Sequence, residues 1–327
     1  MDLDPLGIPQ QGCLKNAAWV SSIQVMDPSS TTNRSTYIDT DGKKLVSLGT
    51  VSSGTFGQID IGTYTTPTKS ESVYIKCPIF PGQSLLHEAC IQKLVSDSLQ
   101  SIGFPTGAPK PVCIFKLQDG SVCFAMQQIQ EAVTLDHYIA SISSNQLAST
   151  IIDCLLQLCA MVWHLQSTLG INHRDLKPSN FLIVEHDIPI RKILLIQNER
   201  LEIDSKRSLT FIDFGFSCLG STETHVSNIS LSTVYSSSDP CPKEGRDMYL
   251  FLAFLYIDYH SKLPPRLLSL FEQWLNIPGT NLCEFMKRYK ERSKPWIYFI
   301  TGNESITSFS SCPYRIMNDL KTFVTRS

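Results

Sequence analysis

Residues that could carry phosphoryl-transfer chemistry are concentrated in the middle third of the sequence. Residues 173–180 read HRDLKPSN, and residues 213–215 read DFG after an apolar, β-branched run. Such a transfer needs a carboxylate that orients the attacking hydroxyl and hard oxygen ligands that hold magnesium on the phosphates. Asp175 suits the first task, and Asn180 and Asp213 suit the second. The purely structural alternative for the first run is a polar loop with a capping aspartate.

The predicted elements begin with strands and one helix and continue mostly as helices. Alternation of β-branched and aromatic residues with polar ones predicts strands within residues 45–77, 112–116 and 122–128. Helical spacing of apolar residues predicts helices within residues 84–99, 147–169 and 247–290, and Gly170 stands where the second of these is expected to stop. The fold class is therefore α+β, with a small β-rich N-terminal lobe, a mainly helical C-terminal lobe and the chemistry-bearing motifs between them.

The first part of the chain differs in composition from the rest. Residues 1–44 are rich in Ser, Thr, Asp and Pro and show no sustained period. This predicts a loose N-terminal extension with one short ordered stretch near residues 17–25. Residues 45–327 are expected to form one domain, with the N-terminal lobe over about 45–129 and the C-terminal lobe over about 130–327.

The two chemistry-bearing runs match the motifs of a known family. The first fits the H-R-D-L-x-x-x-N pattern in full and the D-F-G triplet is intact, so the chain resembles the eukaryotic-type protein kinase superfamily. The resemblance implies ATP and Mg2+ as cofactors, Asn180 and Asp213 as metal ligands, and Asp175 as the catalytic carboxylate. It also implies that Lys177 stabilises the transferring γ-phosphoryl group. A lysine at this place is the serine/threonine form of the motif.

An altered glycine-rich loop lies near the start of the predicted domain. Residues 52–59 read SSGTFGQI and fit G-x-G-x-x-G-x-V, with serine in place of the first glycine. Glycine lets the backbone approach a phosphate closely, so that N–H groups can bind its oxygens. Taken alone, the pattern fits a hairpin turn equally well. The nucleotide-binding residues that the resemblance implies here are Val51, Ser52, Gly54, Phe56, Gly57 and Ile59.

A second nucleotide-binding element resembles the V-A-I-K strand motif. Residues 73–76 read VYIK, which implies that Lys76 contacts the α- and β-phosphates. An exposed strand lysine is the structural alternative. Glu88, on the predicted helix, is the expected partner of Lys76, although it follows unusually soon in the chain. Asp97 is the fallback partner.

The strand near residues 122–129 resembles the last strand before the hinge between the lobes. By this resemblance Met126 lies at the back of the adenine pocket, and backbone groups of Gln127 and Ile129 bind adenine. Leu182 belongs to the same implied nucleotide site. An ordinary core methionine is the structural alternative for Met126.

The C-terminal lobe departs from the family pattern in three respects. No A-P-E triplet follows the D-F-G, and the remainder of the chain after Asp247 is short, which predicts a reduced platform for a peptide substrate. Asp247 itself resembles the buried aspartate that anchors the catalytic-loop backbone. The long spacing from Asn180 to Asp213 predicts an inserted hairpin or loop over residues 185–208. Such trimming resembles the divergent kinases of large DNA viruses.

The segment over residues 216–245 could regulate the activity of the site through phosphorylation. An arginine beside the catalytic aspartate, here Arg174, is typical of kinases in which a phosphorylated residue orders this segment. The alternative is that Arg174 bonds to backbone carbonyls of a permanently ordered segment, and we expect this constitutive arrangement. The candidate phosphate acceptors are Thr222, Thr224, Ser227, Ser230, Ser232 and Thr233.

Composition narrows the class of protein. An apolar share of 42% and a charged share of 18% are ordinary for a soluble protein, and a net charge of −2 argues against a nucleic-acid partner. The longest strongly apolar run, residues 249–257, is about half a membrane span, which predicts a buried helix and no membrane association. The eleven cysteines lack CxxC pairs and zinc spacing. We therefore expect reduced thiols in a cytoplasmic protein, with the nucleus or a host cell as further settings.

The leading hypothesis is an ATP-dependent kinase that transfers the γ-phosphoryl group to serine and threonine hydroxyls of protein substrates. One alternative is a pseudokinase-like binding module, favoured by the altered glycine loop and the missing A-P-E. The other is a small-molecule kinase of related fold. Lys76, Asp175, Asn180 and Asp213 are all present, whereas a pseudokinase usually lacks one of them. Neither the identity of the substrate nor the oligomeric state follows from these residues.

Overall fold

The chain folds into two units of different architecture. The computed structural model describes residues 18–20, 36–38, 43–54, 57–117, 119–196, 199–220, 225–227, 239, 241–277 and 279–325. The N-terminal unit comprises Met1–Asp97 and Ala108–Gln130, and the C-terminal unit comprises Ser98–Gly107 and Glu131–Ser327. The first is β-rich and the second mainly helical. The predicted α+β class, with a β-rich N-terminal part and a mainly helical C-terminal part, is therefore confirmed.

The N-terminal unit contains a seven-stranded sheet with the strand order β1-β6-β7-β5-β4-β3-β2. Strands β1 and β6 are parallel, and all other neighbours in this sheet are antiparallel. Helix α1 spans Leu86–Ser101 and follows β5 along the chain. The strands are β1 (Ala18–Val20), β2 (Thr36–Ile38), β3 (Lys44–Ser53), β4 (Gln58–Thr65), β5 (Ser70–Cys77), β6 (Pro111–Lys116) and β7 (Val122–Gln127).

Both faces of the central strands are buried, which explains their nearly continuous apolar sequences. Alternate residues of β5, Val73 and Ile75, enter one core together with Phe115 of β6. Residues of the opposite parity in β6 and β7 face a second core, where Phe124 packs with Ala89 of α1. The period of two along each strand therefore fixes which side chains meet the helix.

Two short strands fall in the region that the sequence predicts as a loose extension. Ala18–Val20 pairs with Cys113–Phe115 in parallel register, and Thr36–Ile38 pairs with β3. The first strand lies within the short ordered stretch predicted near residues 17–25, whereas the second is not predicted. Three-residue strands have too little alternation to be recognised, since their pairing depends on an edge supplied from elsewhere in the chain.

The C-terminal unit is dominated by helices around two buried ones, α3 and α4. Its helices are α2 (Leu135–Ser141), α3 (Ser144–Leu169), α4 (Arg246–Tyr259), α5 (Pro265–Leu275), α6 (Leu282–Tyr289), α7 (Lys294–Thr301) and α8 (Pro313–Thr325). Helix α3 ends at Gly170, which adopts the left-handed conformation with φ 63° and ψ 35°. This is the helix stop predicted from the sequence, and glycine adopts that conformation without steric cost.

Helix α3 is long and apolar enough to cross a membrane, judged by length and composition alone. Within the C-terminal unit, however, 67% of its most apolar window is buried. Burial of this kind is expected for the core helix of a globular unit that is hydrophobic on most sides.

A long hairpin is inserted between the two chemistry-bearing runs. Strands β10 (Phe181–Ile196) and β11 (Glu199–Phe211) pair antiparallel and join β8 (Val133–Thr134) in a three-stranded sheet. The insertion predicted over residues 185–208 is thus confirmed as a hairpin, and both strands extend beyond it into the site. A second small sheet contains β9 (Ile171–Asn172), β12 (Cys218–Gly220) and β13 (His225–Ser227).

The expectation that the cysteines are reduced thiols is wrong for one pair. Cys218 and Cys241 form a disulfide, with Cα atoms 6.1 Å apart. The two residues are separated by 23 positions and lie at the two ends of the segment after the D-F-G run, so spacing motifs do not reveal them. Cys154 and Cys159 are free and buried in α3, as predicted.

Candidate active site

In the N-terminal unit, a buried ion pair joins β5 to α1. Lys76 Nζ lies 2.5 Å from Glu88 Oε1, and the two residues are 6% and 3% exposed. Glu88 is in the first turn of α1, where the helix dipole favours a carboxylate. The structure brings these two predicted site residues together despite their short separation, whereas Asp97 pairs with Lys93. Because a buried ion pair adds little net stability, its presence favours a functional role.

The glycine-rich segment forms the turn of the β3–β4 hairpin. The Gly54 N–H donates to the Gly57 carbonyl at 2.9 Å and closes the turn. Ser52, which replaces the first glycine, is exposed near the end of β3 and lies opposite Ile59. Phe56, implied at the nucleotide site, lies outside the described residues. The Gly54 N–H is therefore already paired within the hairpin.

The residues predicted at the hinge lie at the end of β7 and just after it. Met126 is buried, and its sulfur accepts a hydrogen bond from Gln92 Nε2 at 3.2 Å. The Gln127 N–H donates to the Lys110 carbonyl at 2.9 Å, so this donor already has a partner within the unit. Ile129 is also buried. Met126 therefore contributes to the core of the N-terminal unit.

In the C-terminal unit, the Asp175 carboxylate is the centre of a hydrogen-bond network. Lys177 Nζ lies 3.1 Å from its Oδ1 and 2.9 Å from its Oδ2. Asn180 Nδ2 donates to Oδ2 at 2.7 Å and to the Asp175 carbonyl at 2.9 Å. The Tyr298 hydroxyl donates to Oδ1. The structure thus brings together the predicted Asp175, Lys177 and Asn180 and adds Tyr298, which no motif marks and which lies 123 residues away in the chain.

A single buried carboxylate anchors the backbone of this loop. Asp247, in the first turn of α4, accepts the N–H groups of His173 and Arg174, each at 2.9 Å, and Asn172 Nδ2 at 3.1 Å. Arg174 has a φ of 67°, an unusual value for a residue other than glycine. The predicted anchoring role of Asp247 is confirmed, since it binds the N–H of the strained residue directly before Asp175.

The two candidate magnesium ligands are held on adjacent backbone segments. The N–H of Ile212, the residue before Asp213, donates to the Asn180 carbonyl at 3.1 Å. Asp213 is half-buried and has a φ of 66°. Because Asn180 directs its amide nitrogen at Asp175, its Oδ1 is the atom left for a cation. Both groups thus offer the hard oxygen that magnesium prefers.

The donor set fits magnesium only if a ligand completes it. Within the described residues, no group of three or more His, Cys, Asp or Glu side chains is placed to hold a metal by itself. Magnesium in phosphoryl-transfer sites is characteristically held by one or two carboxylates together with substrate phosphates and water. One carboxylate from Asp213 and one amide oxygen from Asn180 match that arrangement.

An apolar cluster supports the loop from inside the C-terminal unit. The His173 and Phe214 ring centroids are 4.9 Å apart, and the His173 and Phe211 centroids are 6.1 Å apart. His173 Nε2 also contacts the Ile212 carbonyl at 3.1 Å. Leu182, implied at the nucleotide site, is half-buried on β10 beside β8. The loop and the D-F-G run are therefore fixed to each other by rings as well as by hydrogen bonds.

The end of the segment after the D-F-G run is held by buried charges. Arg174 donates to the Asp239 carboxylate at 3.1 Å and to the Asp239 carbonyl at 3.2 Å. Arg246 lies 2.5 Å and Lys243 Nζ 2.8 Å from the same carboxylate. Burial, followed by the Arg246 charge, lowers the pKa of Lys243 from its ordinary value. Three cations thus share the buried carboxylate of Asp239.

These contacts favour the alternative in which Arg174 binds a permanently ordered segment and needs no phosphorylated residue. Its guanidinium already binds a permanent carboxylate and a backbone carbonyl, which are the partners expected without phosphorylation. The candidate acceptors Thr222, Thr224, Ser230, Ser232 and Thr233 lie outside the described residues, as does the side chain of Ser227.

We predict that phosphatase treatment changes the kinase activity expected from the sequence by less than about twofold. We also predict that Asp239→Asn strongly lowers the free energy of unfolding. Removing one member of a buried ion pair typically costs about 3–5 kcal/mol, because the remaining charges stay buried. Urea denaturation and an assay on an exogenous substrate measure the two effects. Glu202→Gln on the exposed hairpin is the matched control, since surface ion pairs contribute about 0–1 kcal/mol. A tenfold loss of activity after phosphatase treatment, restored by autophosphorylation, contradicts this account.

Comparison with solved structures finds many similar chains, and a kinase domain is among them. The crystal structure of the BubR1 kinase domain aligns with a TM-score of 0.49 and 15% sequence identity, over 95% of this chain and 87% of that one. No protein-family model and no curated protein matches the chain. A likeness at this level adds nothing to the assignment of function, which depends on the residues described above.

Proposed function

We propose that this chain is a protein kinase that transfers the γ-phosphoryl group of ATP to serine or threonine hydroxyls of protein substrates, with Mg2+ as cofactor. The observation that carries the proposal is the environment of Asp175. Its carboxylate is buried, yet it touches a lysine ammonium and an asparagine amide from the same loop. A fixed carboxylate beside a cation and a metal-binding amide is the set of groups that phosphoryl transfer requires.

In this proposal Asp175 accepts the hydrogen bond of the acceptor hydroxyl and receives its proton during transfer. Lys177, whose side chain is 29% exposed, is free enough to contact the transferring phosphoryl group. Lys76, oriented by Glu88, contacts the non-transferred phosphates. Each of these groups acts by position and charge, since little covalent chemistry is left to the protein in such reactions.

The cofactor site is assigned to Asn180 Oδ1 and Asp213. Magnesium, when bound there, neutralises phosphate charge. Asp213 supplies the only full negative charge of the pair, so it is expected to dominate the affinity for the cation. Four residues other than glycine have positive φ within the described residues, and two of them, Arg174 and Asp213, stand directly before Asp175 and at a proposed metal ligand. Such strain is commonly concentrated at active sites.

The arrangement favours an enzyme over a pseudokinase-like binding module. Such modules usually lack the strand lysine, the catalytic aspartate or a metal ligand, and all are present here. The Lys76–Glu88 pair is also formed. The serine in the glycine-rich turn affects only one backbone position in a segment that binds through N–H groups.

We predict that Asp175→Asn lowers the rate of phosphoryl transfer by about 10²–10⁴-fold while ATP binding is retained. The variant keeps the size of the side chain and removes the charge that accepts the proton. Single-turnover transfer of label and the dissociation constant of a fluorescent ATP analogue measure the two quantities. Asp187→Asn, on the exposed part of the hairpin, serves as control. Near-normal turnover by the Asp175 variant would falsify the assignment.

A separate prediction concerns the cation. Asp213→Asn is expected to raise the magnesium concentration for half-maximal ATP binding by about tenfold or more, since even outer-shell partners of metals contribute 10–100-fold. Asparagine tolerates the positive φ at this position, so the variant removes charge without adding strain. Titration of the fluorescent ATP analogue against magnesium gives the measurement. An unchanged magnesium dependence shows that Asp213 is not a ligand.

A further inference from the structure

The hydrogen-bonding capacity of the Asp175 carboxylate is fully used. An ionised carboxylate offers about four lone-pair positions. Lys177 takes one on each oxygen, Asn180 takes one on Oδ2, and the Tyr298 hydroxyl takes one on Oδ1. An acceptor hydroxyl can therefore reach Asp175 only after one of these donors has left.

Lys177 is the donor best placed to leave. Its side chain is partly exposed, and an ammonium on a flexible stem has many rotamers. In the proposed reaction it turns to the phosphoryl group, which vacates one position on each Asp175 oxygen. The donors that remain are Asn180, on Oδ2, and Tyr298, on Oδ1.

Tyr298, in contrast, is half-buried and its ring packs against α4. It lies on α7, between the fully buried Ile297 and Thr301. Its ring packs edge-on against Phe254 of α4, with centroids 5.8 Å apart. The Thr301 carbonyl accepts a hydrogen bond from the buried Lys243 at 3.1 Å, which ties the end of α7 to the charged cluster at Asp239. The hydroxyl is thus held in place by the core and by buried polar contacts.

We propose that Tyr298 is a positioning residue, which holds the Asp175 carboxylate in its orientation when Lys177 turns to the phosphoryl group. This inference rests on the proposed kinase function. With Tyr298 on Oδ1 and Asn180 on Oδ2, each oxygen keeps one fixed donor and one position that the acceptor hydroxyl can use. The Tyr298 oxygen also lies 3.5 Å from Lys177 Nζ, so the same side chain limits where the lysine rests before it turns.

The contact between Tyr298 and Asp175 could instead block the acceptor hydroxyl, and removing it would then raise the rate of transfer. If the Tyr298 hydroxyl simply occupied the place of the acceptor hydroxyl, it would compete with the substrate, and its removal would raise the rate. The packing of Tyr298 against Phe254 favours a role in positioning Asp175, because a competing hydroxyl would have to move aside in every turnover.

The test compares Tyr298→Phe with wild type. The variant keeps the ring against Phe254 and loses only the hydroxyl. We expect kcat to fall by about tenfold or more, the effect of one lost hydrogen bond to a charged group, with KM for ATP and the melting temperature nearly unchanged. Tyr256→Phe is the matched control, since the Tyr256 hydroxyl donates to the Glu272 carboxylate at 2.8 Å on the α4–α5 side. We expect this control to leave kcat unchanged.

A second variant separates positioning from a general structural effect. In the Asp175→Asn background, single-turnover transfer of label should change less than about twofold on adding Tyr298→Phe, because the carboxylate that the hydroxyl orients is already gone. An equal tenfold loss in both backgrounds overturns the proposal, and so does an unchanged or raised kcat for Tyr298→Phe alone. Failure of the kinase function itself gives another result: wild type transfers no label to protein, or Asp175→Asn is as active as wild type.

Discussion

The arrangement of the candidate site depends on the carboxylate of Asp247, which is buried at the start of α4. It accepts two backbone N–H groups and one side-chain amide from residues 172–174, and the helix dipole favours its negative charge there. The N–H of Arg174 belongs to a residue at positive φ, a conformation that persists only where surrounding contacts compensate for its strain. Asp175 follows Arg174 directly in the chain. The contact of Arg174 with Asp247 on α4 therefore fixes the backbone from which the Asp175 carboxylate projects.

The residue beside Asp247 connects the loop to the segment after the D-F-G run. Arg246 binds Asp239, and Arg174 binds the same carboxylate from the catalytic loop. Lys243 completes the cluster, and its N–H donates to Asn172 Oδ1 at 2.6 Å, while Asn172 Nδ2 donates to Asp247. The start of α4 therefore contacts both segments through ion pairs and hydrogen bonds. These contacts hold residues 172–174 and the end of the segment after the D-F-G run together in a chain without an A-P-E triplet.

Local sequence patterns predict the parts of this protein whose structure is determined locally. The run over residues 173–180 and the helix stop at Gly170 could be predicted because motif identity and glycine conformation act over a few residues. The insertion over residues 185–208 could be predicted, as a hairpin or loop, from the long spacing between Asn180 and Asp213. Two features could not be predicted from the sequence: the disulfide between Cys218 and Cys241 and the contact of the Tyr298 hydroxyl with Asp175. Each depends on which distant segments of the chain meet in the folded unit. The strand Thr36–Ile38 could not be predicted for the same reason, because it forms by pairing with β3. The Lys76–Glu88 pair could be anticipated because a motif marks its first member.

The central claim, that the chain is an active protein kinase, is tested most directly by the chemical identity of the product. Purified protein is incubated with ATP labelled at the γ-phosphate, magnesium and a mixed protein substrate, and the protein fraction is then hydrolysed and its phosphoamino acids are separated. Label in phosphoserine or phosphothreonine, absent when magnesium is chelated and formed about 10²–10⁴-fold more slowly with Asp175→Asn, is the result that this account predicts. Binding of ATP with no label in the protein fraction contradicts it and identifies a nucleotide-binding module instead.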